Sequence, residues 1–196
     1  ALPLFILTGT IMQRTDAGRD LFDVTKAWAG SISNSLGVAT ITACGIFAAI
    51  SGSSVATAAT VGLVAIPLLL EEGYGERRAG GFVAGGGTLG IIIPPSIPLI
   101  LYGVITETSI GQLFIGGVVP GIIMMSLFTI YVFYSRPRIR VGHSMSRQER
   151  IATTWRSIGV VLLPIVIIVA IYTGIFTPTE VGALSVIYVT VLGFAQ

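Results

Sequence analysis

Ser51-Gly52-Ser53-Ser54 puts three hydroxyls and a glycine in consecutive positions, in the middle of a 44-residue stretch that carries no charge. A serine nucleophile needs a base beside it, and the single histidine, His143, lies among arginines far along the chain. Hydrolase chemistry is therefore excluded. Hydroxyls together with turn carbonyls suit a hard cation, which prefers oxygen ligands. Serines packed between helices, or bonded to the preceding turn, are the structural alternative. A second group is Gly90-Ile91-Ile92-Ile93-Pro94-Pro95-Ser96-Ile97-Pro98. Proline lacks an N–H, so Pro94, Pro95 and Pro98 leave the carbonyls of Gly90, Ile91 and Pro94 without their helical donors. Each preceding residue is also pushed out of helical geometry. Such carbonyls are costly against lipid, and are tolerated where the backbone is buried in protein or lines a polar cavity. One proline would read as a kink. A Pro-Pro pair beside a glycine cluster reads as a broken helix, the kind of break that marks a binding site in transporters.

The two groups are complementary. If they lie at similar depth, the hydroxyls and carbonyls of Ser51, Gly52, Ser53 and Ser54 meet the carbonyls of Gly90 and Ile91 as a neutral, all-oxygen site. None of the long apolar stretches holds a carboxylate, lysine or arginine. Proton relays and charged ion pathways normally show one, so Na+ fits better than H+ as the bound cation.

Other candidates carry less. Gly85, Gly87 and Gly90 formally match GxGxxG, but no strand–turn–helix unit with a following acidic residue surrounds them. Close helix packing through the small-residue pairs Gly81/Gly85 and Gly86/Gly90 is the simpler reading. Cys44, alone in an apolar run, builds neither a disulfide nor a thiolate site. No metal site beyond Na+ and no organic cofactor is expected. The basic residues form no stripe with interleaved aromatics, which excludes a nucleic-acid partner.

The elements that hold these residues must lie in a bilayer. Of 196 residues, 53% are apolar and 10% charged, and mean hydropathy is +0.91; soluble domains carry roughly 25% charge. Uncharged runs cover residues 27–70, 79–106, 108–135, 157–179 and 181–196, against the ~20 apolar residues that cross a membrane as a helix. This composition defines an all-α, multi-pass membrane protein. Ala1 is no initiator and residue 196 ends inside an apolar run, so the expectation is an internal piece of a larger protein.

All eleven basic residues fall in three segments: Arg14, Arg19 and Lys26; Arg77 and Arg78; and Arg136, Arg138, Arg140, Arg147, Arg150 and Arg156. The connections around Glu107 and Glu180 have none. Cytoplasmic loops collect Lys and Arg, which orients the chain. The 44-residue run then starts and ends on the cytoplasmic side, as two full spans or as one re-entrant hairpin. The arm of residues 55–70 would be about 24 Å long against a core of about 30 Å, which favours a hairpin whose tip stops inside the membrane. Leu21, Phe22, Val24, Ala27 and Trp28, interleaved with Arg19, Asp20, Asp23 and Lys26, predict an amphipathic interfacial helix. Residues 137–154 read as a solvated loop with some helix.

With these motifs in place, and Phe176-Thr177-Pro178-Thr179-Glu180 after them, the chain closely resembles the large membrane subunit of tripartite ATP-independent periplasmic (TRAP) transporters. The likeness also runs through Pro3-Leu4-Phe5-Ile6-Leu7 with Gly9, Glu72-Gly73-Tyr74, Ser109-Ile110-Gly111-Gln112-Leu113-Phe114 and Pro120-Gly121. It implies an elevator-type transporter of the bacterial or archaeal inner membrane, made of two inverted repeats of which this chain covers mainly the first. Residues 1–30 would be a partial transmembrane helix and an interfacial helix on the scaffold side. Residues 31–72 would be the re-entrant hairpin and 79–108 the broken helix of the transport domain. Residues 109–135 would be a transmembrane helix, 136–156 a basic cytoplasmic loop, and 157–196 a transmembrane helix and the start of the next. The implied function is Na+-coupled import of an organic acid, such as a C4-dicarboxylate or a sialic acid. A periplasmic binding protein would deliver it, and a small membrane subunit, separate or fused, would be a partner. Ser51, Gly52, Ser53, Ser54, Gly90 and Ile91 would bind Na+, while Pro94, Pro95 and Ser96 would face substrate. A related Na+/carboxylate symporter without a binding protein, and a passive or scaffolding subunit, are the alternatives.

The arginine bias gives a direct test. In a cysteine-free complete permease, Thr108→Cys should react with an impermeant thiol reagent added to outer-membrane-permeabilised cells, and Arg147→Cys should not. The reverse pattern would overturn the orientation.

Overall fold

The computed structural model describes residues 1–30, 32–135 and 146–195. Arg136, Arg138, Arg140 and His143 lie outside the described residues. Within them all regular elements are α-helices: α1 (Leu2–Gln13), α2 (Ala17–Ala29), α3 (Ser35–Ser51), α4 (Ser54–Glu71), α5 (Glu76–Ile92), α6 (Ile97–Ile105), α7 (Ile110–Tyr134), α8 (Arg147–Arg156), α9 (Ile158–Tyr172) and α10 (Pro178–Ala195).

α3 and α4 are the two arms of a hairpin joined by Gly52 and Ser53. α5 and α6 are the halves of one 30-residue apolar stretch, Glu76–Ile105, interrupted at residues 93–96. α5 packs on both arms of the hairpin, and α7 closes over α3 and α5. The core between them holds Leu36, Ile41, Phe47, Ile50, Leu89 and Val132, all almost fully buried. α7 has 25 residues, about 37 Å at 1.5 Å per residue, enough to cross a core of about 30 Å. Its outer face shows Ile122, Ile123, Leu127 and Ile130, an apolar surface that only lipid or protein can cover favourably.

The expected amphipathic helix is α2, but its apolar face does not lie open to lipid. Ala17, Leu21, Phe22 and Ala27 are fully buried, against α3 and α4. Gly18 makes this approach possible, because a side chain there would run into Thr60 of α4. Trp28 remains exposed, and its indole N–H donates to Thr154 Oγ1 on α8 at 3.0 Å. Burial pushes the Asp20 carboxyl above its ordinary pKa, against the opposing pull of Arg156.

α8 is the helical, described part of the basic segment, and it meets α9 at a bend of 63°. It opens on a reciprocal cap: the Ser146 N–H donates to Glu149 Oε2 (2.7 Å) and the Glu149 N–H to Ser146 Oγ (3.2 Å). The Phe176–Glu180 motif does the same for α10. Thr177 donates its N–H and its hydroxyl to Glu180 Oε2, each at 2.8 Å, and these bonds hold that exposed carboxyl below its usual range.

Asn34 anchors the start of the hairpin. It is fully buried in the left-handed region (φ 58°), and its amide donates to the carbonyls of Val132 and Ser135, both at 2.9 Å. Asn34→Ala removes both donors and places alanine in a disfavoured conformation. The expected loss is about 2–4 kcal/mol of stability, read as a lowered thermal midpoint of the complete permease. Asn34→Gly relieves the backbone term and should lose less; an unchanged midpoint in both variants would contradict this anchoring.

Candidate cation and substrate site

The hairpin tip forms because its two turn residues end one helix and start the next. Gly52 takes a left-handed conformation (φ 59°) that closes α3, and its N–H donates to the Ala48 carbonyl at 2.9 Å. Ser53 is extended (φ −135°, ψ 125°), and its hydroxyl accepts from the Ala56 N–H at 3.3 Å, capping α4. Ser54 is the first residue of α4 and is half-buried.

Three oxygens converge just behind this turn. The Thr57 hydroxyl donates to the Ser53 carbonyl at 2.8 Å, and Ser51 Oγ lies 3.1 Å from Thr57 Oγ1 and 3.4 Å from the Ser53 carbonyl oxygen. Ser51 and Thr57 are buried, with 1% and 0% exposure. Thr57 is a residue that the sequence reading passed over. It lies one helical turn after Ser53, at the i, i+4 spacing that puts two residues on one face.

The break in the second group lies directly against this tip. α5 ends at Ile92, with the Ile93 N–H still donating to Leu89 at 2.8 Å. The Pro94-Pro95 bond is cis, and Ser96 is the extended N-cap of α6. The Ile97 N–H then crosses to the tip and donates to the Gly52 carbonyl at 3.0 Å. Gly90 meets the tip with bare backbone: a Cβ there would lie 2.7 Å from the Ser53 carbonyl and 2.8 Å from the Ser54 nitrogen. On the opposite side α1 approaches through Gly9, where a Cβ would come within 3.1 Å of the Ser51 carbonyl oxygen.

The structure therefore brings Ser51, Gly52, Ser53, Ser54 and Gly90 into one cluster and refines the reading of Ile91. Its carbonyl, deprived of a donor by Pro95, accepts the Ser96 hydroxyl at 2.6 Å. A carbonyl oxygen has two lone pairs, so one remains for a further contact. Pro94, Pro95 and Ser96 are all buried within this chain. The Ser96 hydroxyl also accepts from the Leu99 N–H at 3.5 Å. Of the glycine pairs, Gly86/Gly90 serves close packing, with Gly86 against Cys44 and Gly90 against the tip, while Gly81 and Gly85 face open space.

Four helix ends converge here. The carboxyl ends of α3 and α5 bring partial negative charge, and the amino ends of α4 and α6 bring partial positive charge. Such an arrangement can hold a cation beside hydroxyl and carbonyl oxygens, and an anion beside the amino ends.

The sequence model of the tripartite ATP-independent periplasmic transporter, DctM component, matches residues 1–196. The chain is 41% identical over 191 residues to the C4-dicarboxylate TRAP transporter large permease protein of Pseudomonas aeruginosa, covering 96% of this chain and 44% of that protein. It is 37% identical to the ectoine TRAP transporter large permease protein of Halomonas elongata (99% and 46%) and 36% identical to the isethionate TRAP transporter permease protein of Oleidesulfovibrio alaskensis (98% and 31%). The chain belongs to the DctM family of TRAP transporter large permeases, and it spans less than half the length of these relatives.

Proposed function

We propose that this chain is the part of a TRAP large permease that carries one Na+ site and one side of the substrate site, in an elevator-type importer of an organic acid. The observation that carries the reading is the docking of the hairpin tip on the helix break. Gly52 is bonded to Ile97 and Gly90 is pressed on the peptide between Ser53 and Ser54, so the α3–α4 hairpin and the α5–α6 broken helix form one body. An elevator needs such a body, since the site must move without coming apart.

Na+ sits among Ser51 Oγ, Thr57 Oγ1, the Ser53 carbonyl and the carbonyls of Gly90 and Ile91. The carboxyl ends of α3 and α5 favour it. The substrate carboxylate lies toward the amino ends of α4 and α6, near Pro94, Pro95 and Ser96. Re-entrance of the hairpin follows from the same docking: α6 continues nine residues past the break, about 14 Å, so a tip held at the break stops short of the far surface. The permease works in a bacterial or archaeal inner membrane with a small membrane subunit and a periplasmic binding protein. Relatives named for C4-dicarboxylates, ectoine and isethionate support a small organic acid as cargo.

The test is uptake by the reconstituted complete transporter as a function of Na+ concentration. Ser51→Ala and Thr57→Val should each weaken apparent Na+ affinity by about 5- to 150-fold, the equivalent of a lost buried polar contact of about 1–3 kcal/mol. Ser126→Ala, on the exposed side of α7, should leave it unchanged. Parental Na+ dependence in both site variants would remove the hydroxyls as ligands. Uptake that survives complete Na+ removal and collapses with the pH gradient would reject Na+ coupling.

A further inference from the structure

α8 leaves α9 at a bend of 63°, so where α9 stands across a bilayer α8 lies closer to the membrane plane than to its normal. No residue of α8 is buried among the described residues. Ile151 and Trp155 are four apart, hence on one face of the helix, and both are exposed, Trp155 by 71%. Trp28, at the end of α2, stands beside them and is 61% exposed. Its indole N–H donates to Thr154 Oγ1 at 3.0 Å, and it lines one depression of about 520 Å³ together with Ile151, Arg147 and Arg150. These are the chain's two tryptophans, and they stand on helices that pack together.

The charges around this patch are of both signs. Glu149 Oε2 accepts the Ser146 N–H in the cap of α8, and Arg156 acts on Asp20 of α2. α2 also carries Asp23 and Lys26, and Arg147 and Arg150 belong to α8. The Thr153 and Thr154 hydroxyls donate to the carbonyls of Glu149 and Arg150 on the preceding turn. The exposed apolar area of α8 is therefore confined to the side of Ile151 and Trp155. Thr153, two residues from each, points nearly the opposite way.

We propose that α8 beds in the cytoplasmic headgroup layer of the bilayer, with Ile151, Trp155 and Trp28 at the boundary between headgroups and hydrocarbon. The make-up of the patch favours a lipid surface over a protein. Two indoles beside arginines are the composition of an interfacial anchor, because each ring pairs an apolar body with a polar N–H, and arginine stems can lie on apolar surface with their heads in water. Its place in the chain agrees. Just past the bend, α9 exposes Leu162, Ile165, Val166 and Val169, so apolar surface that only lipid or protein can cover favourably begins within two turns of Trp155. The mixed charges select no single headgroup, and the partner is the bilayer rather than one lipid species. The interfacial role expected of α2 thus falls to α8 and the last turn of α2. The proposal rests on the chain being embedded in a membrane and not on Na+ coupling.

The test places an environment-sensitive fluorophore on single cysteines, Ile151→Cys, Trp155→Cys or Thr153→Cys, in the complete transporter with its other cysteines replaced. The reconstitution uses phosphatidylcholine vesicles, with the lipid brominated near the head of its acyl chains or iodide present on both sides of the membrane. The probes at 151 and 155 should be quenched by the brominated lipid about threefold more strongly than the probe at 153, as an apolar face sunk about 5–10 Å into the interface requires. The probe at 153 should be the one that iodide quenches most. Equal iodide quenching at all three positions would overturn the proposal, because α8 would then stand in water. Shielding of 151 and 155 from both quenchers would overturn it as well, since protein would cover the patch. So would equal lipid quenching at all three, which would place the whole helix inside the hydrocarbon.

Discussion

Gly90 has no Cβ, and the peptide joining Ser53 to Ser54 lies where one would be. That contact between two backbones sets the hairpin against the broken helix, and it brings the Ser51, Ser53 and Thr57 oxygens of the tip alongside the break. Each element alone has an exposed rupture: a two-residue turn at the end of α3, and a stretch of four residues between α5 and α6 with proline at two positions. In hydrocarbon such backbone is costly unless protein covers it. Here the Ile97 N–H of the break covers the Gly52 carbonyl of the tip, and within the break the Ser96 hydroxyl covers the Ile91 carbonyl.

The same economy explains why the site is built from neutral groups. A carboxylate at this depth would need a permanent partner, whereas hydroxyls can turn. The Thr57 hydroxyl donates to the Ser53 carbonyl, and Ser51 and Thr57 share a hydrogen bond. In the proposed site a monovalent ion would be held once those protons swing outward, leaving oxygen lone pairs inward. The four converging helix ends add fixed partial charges to the cluster.

Much of this was legible in the residues. Apolar runs bounded by charges marked the spans, and the rule that proline has no N–H marked the break within a residue or two of its position. Ser51, Gly52, Ser53 and Ser54 stood out because glycine among serines is unusual in an apolar run. Thr57 did not, since its hydroxyl bonds to its own preceding turn just as those of Thr40 and Thr42 do, and only its nearness to Ser51 Oγ across the turn sets it apart. Ser96 was read for its place after the break, but its bond to Ile91 depends on the path the chain takes through Pro94-Pro95. The burial of the α2 face on the hairpin was equally hidden, because an amphipathic pattern gives the width of an apolar stripe and not what covers it. The division of the glycines, with Gly86 and Gly90 in contact and Gly81 and Gly85 open, follows from which side of α5 faces the hairpin.

The claim on which the account stands is that the Gly90 contact assembles the Na+ site. Its most direct test is the difference in thermal midpoint of the complete permease between Na+ and K+, since an ion that binds only the folded state raises that midpoint. The account expects a Na+-specific rise in the parent and in Gly80→Ala, whose added methyl meets open space, and loss of most of that rise in Gly90→Ala. A folded Gly90→Ala permease that keeps the full Na+-specific rise would contradict it.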